Sequence, residues 1–209
     1  MLVSRVKTMD VKRFLSLNNE QHKTNIWSFF PGMKERNFLF KIGSDGYYIV
    51  SDIQPYDITD KWIIKTEQFS NNIENEMLST FNITFNFQKR DPKTHKCHGI
   101  IKDAFLKYKM SNIPPSEWPT VTDLAKKKIK KWFEERGERF GFVIEEVCSI
   151  FCDKISFTKE KTGDPVAFDI IDVSGILKVT NVEKFSTVLR NGIGKGGAYG
   201  LGLLITKRI

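Results

Sequence analysis

F-N-I-T-F-N-F-Q, residues 81–88, alternates Phe81, Ile83, Phe85 and Phe87 with Asn82, Thr84, Asn86 and Gln88 without a break. Successive side chains of a strand point to opposite faces, so this pattern puts four apolar groups on one side and an amide-rich surface on the other. Working back from it, Leu2 to Lys7 reads as a first strand. From Asp10 a helical pattern follows, with Val11, Phe14, Leu15, Ile26 and Phe29 at three- and four-residue spacings and Pro31-Gly32 closing it. Phe38, Phe40 and Ile42 then alternate, Asp45-Gly46 supplies a tight turn, and Tyr47 to Val50 returns as the partner strand of a hairpin. Residues 59–78 are mixed and weakly helical. With 81–88 as the closing strand, the order strand, helix, hairpin, helical segment, strand is that of a ferredoxin-like βαββαβ unit, an α+β architecture. Such a sheet leaves one face without helices, a surface that often receives nucleic acid. Lys89 and Arg90, directly after the strand, are candidates for contact with a nucleic-acid backbone on that face.

Working forward, residues 89–121 hold Pro92, Pro114, Pro115 and Pro119 among many lysines, a composition suited to a linker plus an insertion. This divides the chain near residue 92, into 1–91 and 92–209. The second part opens with a helix over Thr122 to Arg136, whose Leu124, Ile129, Trp132 and Phe133 form one apolar face and which Gly137 stops. A strand at Phe140 to Cys148 and a long hairpin from Ile150 to Val179 follow, with T-K-E-K-T-G-D (158–164) at its tip. A helix at Val182 to Leu189 and a last strand at Leu201 to Ile205 complete the order. The second part repeats the first in element order, without a visible sequence repeat. The fold expected is two tandem ferredoxin-like, RRM-like domains. Lys159 and Lys161 make the hairpin tip basic, and a two-stranded ribbon of this kind can enter the groove of a duplex.

Thirty-three Lys and Arg against 25 Asp and Glu leave a formal charge of +8 over 209 residues, a balance that favours a polyanionic partner. Cys97, Cys148 and Cys152 are too few and too odd in number for a disulfide framework, which points to a reducing compartment and a cytoplasmic location. No apolar run approaches the ~20 residues of a membrane span. A metal site from His95, Cys97 and His98 with Cys148 or Cys152 lacks the usual ligand spacing, so no metal and no cofactor are expected. No phosphate-binding P-loop, carboxylate pair or Ser/His/Asp set stands out.

Between the last helix and the last strand stands G-I-G-K-G-G-A-Y-G-L-G, residues 192–202, with six glycines in eleven positions. That density signals positive φ angles or close approach to another molecule. Bare N–H groups of Gly192, Gly194, Gly196, Gly197, Gly200 and Gly202 can approach phosphate oxygens, and Lys195 adds charge. The plainer alternative is a glycine-rich turn at a helix C-terminus.

The spacing glycine-apolar-glycine, an interval with a lysine, then glycine-apolar-glycine resembles the C-terminal signature of the repeat-associated RNA-binding proteins of CRISPR systems. M-L-V-S-R-V (1–6), Q-H-K-T (21–24) before W-S-F-F-P (27–31), F-N-F-Q-K-R-D-P (85–92) and the tail from Leu189 to Leu204 each resemble segments of the CasE family, the precursor-RNA processing endoribonucleases of type I-E systems. The segments keep family order across nearly the whole chain, apart from an apparent insertion at 102–121. Trp27 stands five positions after His22, where many family members have the corresponding residue four after their histidine. In the loop, Lys195 occupies a position where relatives often have proline, and Gly197 one where they have lysine.

The resemblance implies metal-independent cleavage at the base of a repeat stem-loop, giving a 2′,3′-cyclic phosphate and a 5′-hydroxyl. It implies that His22, the histidine of the first helical region, is catalytic; on the residues alone, a histidine on the stripe of Leu15, Ile26 and Phe29 is also a packed core residue. The adjacent Lys23 can neutralise the scissile phosphate or be a solvated helix lysine. No tyrosine lies near His22 in sequence to match the one that assists in some relatives. It also implies that the hairpin with Lys159 and Lys161 holds the RNA stem. The implied partners are precursor and mature guide RNA and the type I-E surveillance complex, Cascade. The rival reading is a non-catalytic guide-RNA-binding subunit of the same fold.

Overall fold

The computed structural model describes residues 1–69, 72–160 and 162–209 and divides their principal strands between two four-stranded antiparallel sheets. The first contains β1 (Leu2–Thr8), β2 (Phe38–Ile42), β3 (Gly46–Ser51) and β4 (Trp62–Gln68), in the order β2-β3-β1-β4. Helices α1 (Val11–Leu15) and α2 (Asn19–Ser28) connect β1 to β2. Their apolar groups, with Val6, Phe38, Phe40, Tyr47 and Ile49, form the core on one side of this sheet. The closing strand β4 stands where weak helix was expected, and residues 52–61 form no helix. The Asp57 carboxylate organises that connection by accepting the backbone N–H groups of Thr59, Lys61 and Trp62.

The alternating stretch, β5 (Leu78–Asn86), is a strand as expected but opens the second sheet instead of closing the first. After it come a small ribbon of β6 (Gln88–Arg90) and β7 (Cys97–Gly99), then α3 (Ile100–Lys109), α4 (Val121–Glu134) and α5 (Gly137–Phe140). The long strands β8 (Phe142–Thr158) and β9 (Pro165–Val179), α6 (Val182–Asn191) and β10 (Leu204–Arg208) complete the unit, with sheet order β10-β5-β9-β8. Phe81, Ile83, Phe85 and Phe87 are buried in one core with Ala125, Ile129 and Phe133 of α4, Val173 and Leu177 of β9, and Phe185 of α6. Alternation specifies the face a strand buries but not its neighbours; the apolar groups that receive this face come later in the chain. The passage between sheets lies between Gln68 and Leu78, ahead of the division near residue 92 suggested by the prolines.

The helix-free faces of the two sheets are turned toward each other. Leu39 and Val50 pack with Leu203 there, flanked by Val3, Tyr48 and Ile205. Lys41 of β2 crosses to the amide-rich side of β5, donating to Asn82 and, at 2.8 Å, to Thr84 Oγ1, while pairing with Asp172 at 2.9 Å. Burial lowers the Lys41 pKa, against the opposing pull of Asp172. Burial pushes Asp172 up, but its hydrogen bonds and the Lys41 charge outweigh that and hold it below the usual carboxylate value. Asn82 and Thr84, expected on an open nucleic-acid platform, instead satisfy an inter-sheet lysine.

Candidate nucleic-acid interface

Helix α2 begins with a capping box. Asn18 Oδ1 accepts from the Gln21 backbone N–H, and Gln21 Oε1 accepts from the Asn18 N–H, each at 2.9 Å. Residues four apart share a helix face, so His22 and Ile26 both turn into the first core. His22 is only 6% exposed. Its Nδ1 shares a 2.9 Å hydrogen bond with Tyr47 Oη, and its ring meets Phe14 edge-on at 4.8 Å. Burial lowers the imidazole pKa to about 4, keeping His22 neutral at pH 7. Burial raises the Tyr47 phenol despite a hydrogen bond from Asn25. The expected catalytic residue thus faces an aromatic core, and the tyrosine beside it comes from β3, 25 positions along the chain.

Lys23 points elsewhere, as the next residue of a helix does. Its Nζ donates to Glu20 Oε1 at 2.9 Å and lies 5.4 Å from the centroid of the Tyr199 ring. Tyr199 ends a 3-10 turn, Gly197–Tyr199, within the glycine loop. Its ring also packs against Phe157 at 4.7 Å and Phe168 at 5.7 Å, near the end of the β8–β9 hairpin. Helix α2, the glycine loop and the hairpin therefore converge on one aromatic ring. Arg36 joins this group: a Cβ at Gly197 would come 2.8 Å from its Nη1. Glu20 is 7% exposed, and its second oxygen, Oε2, has no hydrogen-bond partner among the described residues. Arg36 and Tyr199 had no individual signal in the sequence, since their neighbours lie on other elements; Glu20 and Lys23, three apart on one helix, are at a spacing that allows their pair.

The glycine loop is held at its base by backbone bonds. Ile193 N–H donates to Gly202 O at 2.8 Å, and Gly202 N–H to Thr84 O at 2.7 Å. Gly192 and Gly202 have φ of +74° and +88°, and Cβ atoms there would lie 2.7 Å from Gly202 O and 2.5 Å from Ile193 O. Close chain approach accounts for both. Gly196 lies against Leu201, and Gly200 against Phe40 and Ile42. At the tip, an added Cβ at Gly194 would meet nothing within 4 Å, and Lys195 is exposed.

The remaining expected contacts are dispersed. Lys89 and Arg90 are exposed on the β6–β7 ribbon, with Arg90 Nε donating to His95 O at 3.3 Å, and not on the face of the four-stranded sheet where they were expected. Arg90 pairs there with Cys97 because β5 ends at Asn86. Lys159 is near the hairpin tip, 3.5 Å from Asp164, while Lys161 lies outside the described residues. Among the described residues no group of three or more His, Cys, Asp or Glu is arranged to hold a metal ion, and no helix is long and apolar enough to cross a membrane.

The fold has solved counterparts at low sequence identity. The CRISPR-associated protein Cas6e from Escherichia coli str. K-12 is 16% identical, with 100% of each chain covered and a TM-score of 0.65. Thermus thermophilus Cse3 bound to an RNA representing a pre-cleavage complex is 18% identical over 99% of this chain and 98% of that one, with a TM-score of 0.66. A chain of a CRISPR RNA-guided surveillance complex is 15% identical over 99% of this chain and 100% of its own, with a TM-score of 0.63. No curated protein matches the sequence. The family model for CRISPR associated proteins matches residues 2–208, and the chain belongs to that family.

Proposed function

We propose that this protein is a metal-independent endoribonuclease that cleaves CRISPR precursor RNA at the base of the repeat stem-loop. The products carry 2′,3′-cyclic phosphate and 5′-hydroxyl ends, and the protein keeps the guide RNA as a subunit of a type I-E surveillance complex. The observation that carries this reading is the convergence of Lys23, the glycine loop and the β8–β9 hairpin on Tyr199. It groups a cation for a phosphate, an exposed loop tip with Lys195, and a long ribbon suited to a stem. Family membership and the likeness to RNA-bound Cse3 and to a surveillance-complex chain support the same reading. The aromatic enclosure of His22 favours a second reading, a guide-holding subunit without turnover.

Incubation of the wild-type protein with repeat RNA of its own locus in EDTA, followed by end-group analysis, separates the two. Cleavage with a cyclic phosphate at the stem base supports the endoribonuclease. Tight binding of RNA that stays intact overturns it in favour of the guide-holding subunit.

A further inference from the structure

We infer that the outer face of α4, with α3 and the β6–β7 ribbon, is a second RNA-binding surface that takes the sugar–phosphate backbone of the precursor outside its repeat stem-loop; this deepens the endoribonuclease reading and rests on it. The inference begins with where the charge lies. Residues 89–136 hold 13 Lys and Arg against 6 Asp and Glu, so +7 of the chain's +8 falls in less than a quarter of its length. The rest of the chain, which includes Lys23, Lys195 and the β8–β9 hairpin, is balanced to within one charge. The fold gathers the excess on one side. The apolar stripe of α4 faces the second core, which leaves Lys126, Lys127, Lys130 and Lys131 exposed along its outer face. Helix α3 packs against α4 and follows directly on β7, and Lys89 and Arg90 are exposed on the ribbon. Lysines four apart on a helix are neighbours and repel. Of these six cations only Lys131 meets a carboxylate among the described residues, Glu135 at 3.9 Å. Solubility is served by both signs interspersed, so a face of one sign held against its own repulsion points to a polyanion that supplies the counter-charge.

This surface is separate from the junction at Tyr199. Side chains alternate along β9, so Phe168, which packs on Tyr199, shares a face with Asp172, the partner of Lys41 between the sheets. Asp169 turns to the other face, where its Oδ2 accepts from Gln88 Nε2 at 3.1 Å and a Cβ at Gly99 would come within 2.6 Å of it. The ribbon and the start of α3 are thus seated on the back of the hairpin, and Val173 on that same back face joins Ala125 and Ile129 of α4 in the core. A stem held at Tyr199 lies on one side of the second sheet and the basic surface on the other, so RNA reaches the latter by continuing past the stem. Helix α4 alone runs about 21 Å over 14 residues, long enough to follow several nucleotides. Lysine is depleted at protein interfaces, whereas lysine–phosphate contacts are the usual source of sequence-independent affinity for nucleic acid, which favours RNA over an acidic protein as the occupant.

The test compares binding of the bare repeat hairpin with that of the same hairpin carrying its single-stranded flanks, for wild type and for the fourfold variant Lys126→Gln, Lys127→Gln, Lys130→Gln, Lys131→Gln. Glutamine has a helix propensity close to that of lysine, and thermal melts check the fold. Wild type is expected to bind the flanked RNA about tenfold or more tighter than the bare hairpin. The variant is expected to lose this gain while binding and cleaving the bare hairpin as wild type does. For the flanked RNA, the slope of log binding constant against log salt should fall by about 0.7 for each single-strand phosphate contact removed, up to about 3 in all. If the fourfold variant fails to fold, the pair Lys126→Gln, Lys130→Gln takes its place, with about half the change in slope. Equal gain in both proteins overturns the inference, as does a variant that loses affinity for the bare hairpin to the same degree. A wild type that gains nothing from the flanks also overturns it, and binding of poly-glutamate that the variant abolishes then assigns the face to an acidic protein. A wild type that binds the hairpin in EDTA without cutting it overturns the endoribonuclease reading, while the comparison of flanked and bare RNA still decides the surface.

Discussion

At the scale of single residues, a neutral buried histidine makes stability depend on pH. The His22 pKa falls from 6.5 to about 4 on folding, so between these values the unfolded chain binds more protons than the folded one. Stability therefore rises as pH increases through this window and is lost as pH falls toward 4, by up to about 3 kcal/mol for this group. Comparing urea unfolding of wild type and His22→Phe at about pH 4 and about pH 7 isolates it. The variant should show a correspondingly smaller acid loss. Two loop glycines with similar φ offer a second residue-scale contrast. Gly194→Ala meets nothing within 4 Å and should cost about 1 kcal/mol from its φ alone, whereas Gly202→Ala also collides with Ile193 O and should cost about 2–4 kcal/mol. Thermal melts of the two variants measure the difference.

At the scale of elements, Tyr199 is the contact that ties the glycine loop to the hairpin. Tyr199→Ala should increase hydrogen exchange across 155–158 and 165–168 and weaken binding of a repeat hairpin, with the exchange of β5 unchanged. Equal loosening of β5 would mean that the ring holds the whole sheet and not its outer ribbon. The same scale explains what the sequence disclosed. Phe81 to Phe87 identified a strand and its buried face because period two is a local property. Its sheet was not legible, because Ile129, Phe133 and Phe185 decide it from distant positions. Trp62–Gln68 escaped notice since Ile63 is exposed beside the half-buried Ile64, which blurs the alternation. His22 followed the resemblance, but only its packing against Tyr47 shows which way the ring turns. All six loop glycines were visible by density alone, and the close neighbours of five of them, all but Gly194, were not.

At the scale of the whole molecule, a charge of +8 predicts RNA binding that weakens with salt. Removing the exposed charge proposed to meet a phosphate, Lys195→Ala, should lower the slope of log binding constant against log salt by about 1. An unchanged slope would place the loop tip away from the RNA backbone. Lys41 links the two sheets in the same molecule through Asp172, Asn82 and Thr84. Lys41→Met should therefore cost about 1–3 kcal/mol by leaving polar partners unpaired, read as a lower urea midpoint. The ring of Tyr199 has a further consequence for synthesis on the ribosome. Lys23, Phe157, Phe168 and Tyr199 emerge in that order, and the last of them is the meeting point for the others. A nascent chain stalled before Gly192 can already hold both α2 and the hairpin, yet it lacks the residue that joins them. Incomplete translation products that lack Tyr199 are thus unable to join helix α2 to the hairpin through this ring.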